Sequence, residues 1–296
     1  MFIGRNLVNN IYSTRSVNIN DVRAVTEVCK FMGQRIATGV IAGTAFIALL
    51  VAGGWYYSGM LLLLALIGYW EYVRLNKQSW IRLDVGLGFV AVVLLTLPQL
   101  PFDWVMPSST AVIWLLMFVL LCGTVLSKNR IQLEHVSVLL LGAVYVGIGF
   151  HYMAVTRELP HGLFWCALMF ACIWASDIGA YFVGKAIGKT KLWPSISPNK
   201  TIEGALGGVA IAVITSLVFA YFRTEWLTYG QALLIGLSAA IAGQLGDLVQ
   251  SAYKRFRDVK DSGQLLPGHG GILDRTDSWL IVFPLVHMLG LLPTAG

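Results

Sequence analysis

The chain has 296 residues, 57% hydrophobic and only 12% charged, with a formal net charge of +6 and a mean hydropathy of +0.72. A soluble domain carries about 25% charged residues, so this chain has too little polar surface to cover a water-soluble fold. That excludes a soluble globular enzyme, a disordered chain and a disulfide-rich secreted module, and it points to a polytopic membrane protein.

Residues 1–31 are polar and Asn-rich and lack an apolar core region, which is not the pattern of a signal peptide. They are expected to be a disordered extension, or an over-called stretch of reading frame ahead of a true start at Met32. From there, apolar stretches recur at about 36–57, 59–73, 84–100, 110–127, 136–156, 162–187, 204–222, 230–253 and 279–294. A spanning helix needs about 20 such residues. The second stretch is short, so its ends are expected to be anchored by Tyr72 and Arg74 or by tilt of its neighbours. No ten-residue alternating pattern appears, which excludes a membrane barrel. The expected fold is all-α, a polytopic integral membrane protein with about nine transmembrane helices. It divides into the 1–31 extension, N-terminal helices over 32–160 and a C-terminal transmembrane region over 161–296.

With the N-terminus in the cytoplasm, all of the 21 Lys and Arg residues except Arg157 and Arg223 fall on the cytoplasmic side. That asymmetry predicts a cytoplasmic N-terminus and a C-terminus outside. Because the basic residues sit in short clusters between apolar runs, they also argue against a nucleic-acid partner. Cys29, Cys122, Cys166 and Cys172 show neither paired nor metal-type spacing.

Charge is nearly absent from the first five stretches, apart from Glu71 near a helix end. The second half differs. Asp177 lies within the sixth stretch and Asp247 within the eighth, and an ionised group at membrane depth is costly enough to mark a functional site. The alternative is a carboxylate paired with a neighbouring Lys or capping a broken helix. Asp177, Tyr181 and Lys185 follow at i, i+4 and i+8 on one helix face, and Asp247, Ser251 and Arg255 repeat that spacing, with Gln244 one turn earlier.

Two loops add to this. Ser197-Pro198-Asn199-Lys200-Thr201-Ile202-Glu203-Gly204 reads as a helix start with Ser197 as N-cap and Pro198 at the first helical position, leaving N–H groups to face an anion. The segment from Lys254-Arg255 through Lys260 to His269-Gly270-Gly271 and Asp274-Arg275-Thr276-Asp277 mixes cations, glycines and carboxylates. The glycines permit close backbone approach to phosphates. Carboxylates without a His/Cys cluster favour Mg²⁺ over Zn²⁺. Gly184–Thr190 and Gly179–Ala186 approach a phosphate-binding P-loop, but the first is one residue short, the second ends in Ala, and both follow a helix rather than a strand.

The run from Ser251 to Asp277, with Lys254-Arg255, Lys260-Asp261, Pro267-Gly268-His269-Gly270-Gly271 and Asp274-Arg275-Thr276-Asp277, resembles the signature of phosphatidate cytidylyltransferases, the CDP-diacylglycerol synthases. Gly246-Asp247-Leu248, Ser197–Gly204 and Asp177–Lys185 look like further motifs of that family in the family's order. Gln250 departs from it, standing where many members have Glu, and Tyr253 is a milder departure.

The resemblance implies transfer of CMP from CTP to phosphatidate by a catalytic region over 161–296, with no protein nucleophile. It implies Mg²⁺, with a second cation such as K⁺, held by Asp247 and Asp274 with Asp277 as the next candidate. Lys200, Lys254, Arg255 and Arg275 would hold phosphates. Ser197, Thr201, Asp177, Tyr181, Ser251, Lys260, His269, Gly270 and Gly271 would bind substrate. The implied setting is the lipid bilayer of the cell membrane with the site facing the cytoplasm, in a homodimer. Rival readings are an ion-coupled transporter using Asp177 and Asp247, and a CTP-dependent lipid kinase.

Overall fold

The computed structural model describes residues 38–78, 82–97, 106–263 and 270–293. The expected extension at 1–31, the expected start at Met32 and His269 lie outside the described residues.

The helices, in chain order, are α1 (Thr38–Ala52), α2 (Gly54–Leu75), α3 (Leu83–Thr96), α4 (Ser109–Leu126), α5 (Leu133–Glu158), α6 (Gly162–Ile187), α7 (Ile202–Phe222), α8 (Tyr229–Phe256), α9 (Leu273–Thr276) and α10 (Trp279–Met288). Among the described residues, α2, α4, α5, α6, α7 and α8 are long and apolar enough to cross a bilayer, while α1, α3 and α10 are shorter apolar helices. Each apolar stretch of the sequence thus becomes a helix, in a polytopic membrane protein whose described residues are α-helical apart from one hairpin, loops and turns.

Two boundaries differ from expectation. The chain breaks between α1 and α2 at Gly53, not near residue 58, because Gly53 and Gly54 both take positive φ (66° and 52°), a region open to glycine at little cost. The first helix is therefore shorter and the second longer than the apolar composition implied. The segment Ser197–Thr201 is a strand, not a helix start. It pairs antiparallel with Lys191–Trp193 in a two-stranded hairpin, β1 and β2, with Lys191 opposite Thr201. The N-cap of α7 is Thr201, whose hydroxyl accepts the Gly204 N–H at 3.1 Å. Ser197 and Pro198 are not its cap and first residue. The Glu203 carboxylate accepts the backbone N–H groups of Lys189 and Thr190 and so ties the end of α6 to the start of α7.

Packing divides the helices around one continuous core, with Tyr57, Tyr69, Phe150, Phe170 and Phe283 among its largest fully buried side chains. On one side α2, α3 and α4 pack on α5, and on the other α6, α7 and α8 pack together. Helix α10 lies against both α5 and α8 and joins the two groups. The α6–α7 contact is close because α7 presents glycines. A Cβ at Gly208 would lie 2.6 Å from the Ser176 carbonyl, and one at Gly207 2.5 Å from Val183 Cβ. Small residues at such crossings let helix backbones approach where lipid supplies no hydrophobic drive for association. Outward faces carry Trp114, Leu115 and Phe118 on α4 and Leu206, Ile214 and Val218 on α7, all exposed. Side chains of that kind belong against lipid.

Candidate active site

Helices α6, α7 and α8, strand β2 and the α9 segment enclose a cavity of about 540 Å³. Four carboxylates line it: Asp177 from α6, Asp247 from α8, and Asp274 and Asp277 from and just after α9. Tyr181, Lys185, Lys200, Thr201 and Gln244 share the lining. The i, i+4, i+8 face read on α6 is realised, since Asp177, Tyr181 and Lys185 all face the same space. Gln244 fixes the wall between α6 and α7 by donating to Ser176 Oγ at 3.2 Å and to the Ala205 carbonyl at 3.1 Å.

The carboxylates are not left bare. Lys200 Nζ meets Asp247 Oδ2 at 2.6 Å, and Ser251 Oγ donates to Asp247 Oδ1 at 3.3 Å. The pairing of an intramembrane carboxylate with a lysine, read above as the alternative to a site, is present within the cavity itself. Lys254 Nζ donates to Asp274 Oδ1 at 2.6 Å, with side chains only 13% and 7% exposed. Asp274 Oδ2 accepts the Ser262 N–H at 2.8 Å and the Gly271 N–H at 3.0 Å.

Burial alone would raise Asp274, but the Lys254 ammonium and the Gly271 and Ser262 N–H groups outweigh it and hold the carboxyl below the usual carboxylate range. Asp277 goes the other way. Burial first, and then the negative charge of Asp247, push it up to about 7, against the Ser278 N–H that it accepts at 2.7 Å.

A second cavity, about 650 Å³ and mostly apolar, opens between α1, α2, α6 and the 272–279 segment. Its walls include Phe46, Leu64, Ile173, Trp174 and Trp279, and its polar end is formed by Asp177, Asp274, Arg275, Asp277 and Ser278. The two cavities therefore meet at Asp177, Asp274, Asp277 and Ser278.

The other residues singled out in the sequence divide. Gly270, at φ +78°, and Gly271 pack against Asp274. Arg275 stands at the polar end of the apolar cavity rather than in the polar one. Ser197 and Lys260 line neither cavity, and the exposed Arg255 donates to the Val259 carbonyl at 3.4 Å. Gln250 is buried and donates to Tyr145 Oη at 3.2 Å. Glu71 and Ser262, passed over or unassigned in the sequence, lie directly behind Asp274. The one signal for Glu71 was a carboxylate inside the aromatic run Tyr69-Trp70-Glu71-Tyr72.

The family model of the cytidylyltransferase family matches residues 33–292. The chain belongs to that family. It is 42% identical over 265 residues to the phosphatidate cytidylyltransferase of Bacillus subtilis (strain 168), covering 87% of this chain and 97% of the relative. The phosphatidate cytidylyltransferase of Staphylococcus haemolyticus (strain JCSC1435) is 42% identical over 258 residues, covering 87% and 98%. That of Staphylococcus aureus (strain COL) is 40% identical over 262 residues with the same coverage. The matched span takes in all the described helices and both cavities.

Proposed function

We propose that this membrane enzyme transfers CMP from CTP to phosphatidate, releasing pyrophosphate and giving CDP-diacylglycerol for phospholipid synthesis. One observation carries the geometric side of this reading: a polar cavity and an apolar cavity share a wall of carboxylates. CTP, fully water-soluble, fits the polar side. Phosphatidate keeps its acyl chains against the apolar walls of α1, α2 and α6 and brings its phosphate to the shared end. There a phosphatidate oxygen bonds to the α-phosphorus of CTP as the bond to the departing pyrophosphate breaks, and no protein nucleophile takes part.

Both substrates are anions, and a cavity lined by Asp177, Asp247, Asp274 and Asp277 repels them unless cations intervene. The donor set suits Mg²⁺: hard carboxylate oxygens without His or thiolate. Among the described residues no three acidic, His or Cys side chains stand as a ready metal cage, which accords with a cation that uses one or two carboxylates and completes its shell with water and substrate phosphates. Asp247 and Asp274 would hold it, with Asp277 next. Bound Mg²⁺ supplies neutralisation of the charge that develops on the phosphates.

Lys200 and Lys254 are the phosphate-binding cations of this reading, turning from Asp247 and Asp274 toward the triphosphate as it arrives. Arg275 meets the lipid phosphate, and Arg255 and Lys260 add charge around the entrance. Thr201, Tyr181, Ser251, Gly270 and Gly271 shape the nucleotide side, with Ser197 on the hairpin, and His269 is assigned to the same substrate. Nine spans, a cytoplasmic N-terminus and a plasma-membrane site open to the cytoplasm belong to the same proposal, supported by the one-sided distribution of Lys and Arg. A homodimer and a second cation such as K⁺ rest on family membership alone.

The test is product analysis of the purified protein supplied with CTP, phosphatidate and Mg²⁺. Pyrophosphate with CDP-diacylglycerol in equal amounts is expected. Release of CDP would mean phosphoryl transfer by a lipid kinase, and unaltered CTP together with ion flux would mean a transporter.

A further inference from the structure

The Glu71 carboxylate is fully buried on α2, far along the chain from the acidic residues of the cavities, and among the described residues no cation pairs with it. A buried carboxyl group is tolerated where hydrogen bonds replace its hydration. Here they come from one short stretch of backbone and one hydroxyl. Glu71 Oε1 accepts the Ile272 N–H at 2.9 Å, and Oε2 accepts the Leu273 N–H at 3.0 Å and the Ser262 hydroxyl at 3.0 Å.

Each of those donors adjoins Asp274. Ile272 and Leu273 immediately precede it, and Ser262 donates its backbone N–H to Asp274 Oδ2 while its hydroxyl lies 3.1 Å from the same oxygen. A hydroxyl has one proton, so Ser262 Oγ serves Glu71 or Asp274 and ties the two carboxylates together. Two glycines of the long motif answer to the same group. A Cβ at Gly263 or at Gly271 would collide with the Glu71 carboxylate. Neither glycine takes a positive φ there; what a side chain would meet is Glu71 at Gly263, and Glu71 together with the Ser262 hydroxyl at Gly271.

We propose that Glu71 is a positioning residue for the reaction: through Ser262 and the backbone at 272–273 it sets where Asp274 stands at the junction of the two cavities. The proposal rests on the reading of Asp274 as a site residue. A glutamine cannot replace Glu71. Its oxygen serves one side of the fork, while its amide places donors against the donors on the other.

The experiment compares wild type, Glu71→Gln, Ser262→Ala and Asp274→Asn, each full-length in detergent. The first readout is amide hydrogen exchange over 270–276 with EDTA and without substrate, so it needs neither metal nor turnover. Glu71→Gln should exchange about 10- to 100-fold faster there, the range for losing a hydrogen bond to a charged group, while α7 exchanges as in wild type. The second readout is kinetic: kcat should fall at least about tenfold and by more than KM for CTP rises, because Lys200 and Asp247 are untouched while Asp274 and its partner Lys254 are displaced. Ser262→Ala, which buries no new donor, should move both readouts in the same direction by a smaller step.

Wild-type exchange over 270–276 in Glu71→Gln, faster exchange spread evenly over the chain, or local loosening with unchanged kcat would each overturn the proposal. If Glu71→Gln does not fold, wild-type kcat in Ser262→Ala overturns it. Full activity in Asp274→Asn would instead refute the site reading, leaving the exchange arm to report on Glu71 separately.

Discussion

Replacing Lys254 by Met tests the electrostatics of the cavity more sharply than any other single change. The two side chains of the Lys254–Asp274 pair are 13% and 7% exposed at 2.6 Å, so solvent screening is slight. Removing one partner of a buried pair costs about 3–5 kcal/mol when the other charge is left bare. Asp274 is not left bare, since the Ser262 and Gly271 N–H groups remain on Oδ2. The loss is then nearer that of one charged hydrogen bond, about 1.5–3 kcal/mol.

The pH dependence of the loss gives it a signature. The folded-state carboxyl of Asp274 is held below its ordinary value, first against burial and then by Lys254. Its contribution to stability is therefore complete above the unfolded-state pKa and disappears as pH falls through the folded-state value. Lys254→Met should unfold at a clearly lower temperature than wild type at pH 7, and the gap should close in the acid range. Thermal unfolding in detergent and EDTA, followed by tryptophan fluorescence, measures this between pH 3 and pH 8. A gap independent of pH would show that Lys254 contributes packing rather than charge and would refute the reasoning.

Asp277 should behave oppositely. Its folded carboxyl is raised to about 7 by burial and by Asp247, so folding takes up a proton and wild-type stability declines as pH rises between about 4 and 7. Asp277→Asn should accordingly be more stable than wild type at pH 8 in EDTA and no more stable at pH 4, by the same fluorescence measurement. Gly208→Ala should cost about 1–3 kcal/mol through overpacking, because its Cβ would press on the Ser176 carbonyl and on Gln244 Nε2; thermal unfolding checks it, and a neutral result would mean that α6 and α7 separate easily.

Much of this was legible in the sequence, for a physical reason in each case. Apolar runs long enough to enter a bilayer have few alternatives to helix, so each became one. Asp177 and Asp247 stood out because charge at that depth is expensive, and they do line one cavity with Asp274 and Asp277. The break at Gly53 was missed because the flanking residues are equally apolar on both sides of it. Ser197-Pro198 misled because a Ser-Pro pair suits a helix start, yet Thr201 caps α7 and the earlier residues pair as a hairpin edge, where Pro needs no N–H. Glu71 was hidden for a different reason. Its partners are mostly backbone N–H groups some 200 residues away, at |i−j| of 201 and 202, and a backbone donor leaves no mark on residue identity.

The most direct test is a single-turnover measurement of pyrophosphate release by Asp247→Asn and Asp274→Asn. Both proteins should insert in the membrane and purify as wild type does, and each should lose at least about a hundredfold in rate, the scale of a group that supports transition-state charge. Near-normal pyrophosphate release from either variant would contradict the placing of the reaction between those two carboxylates.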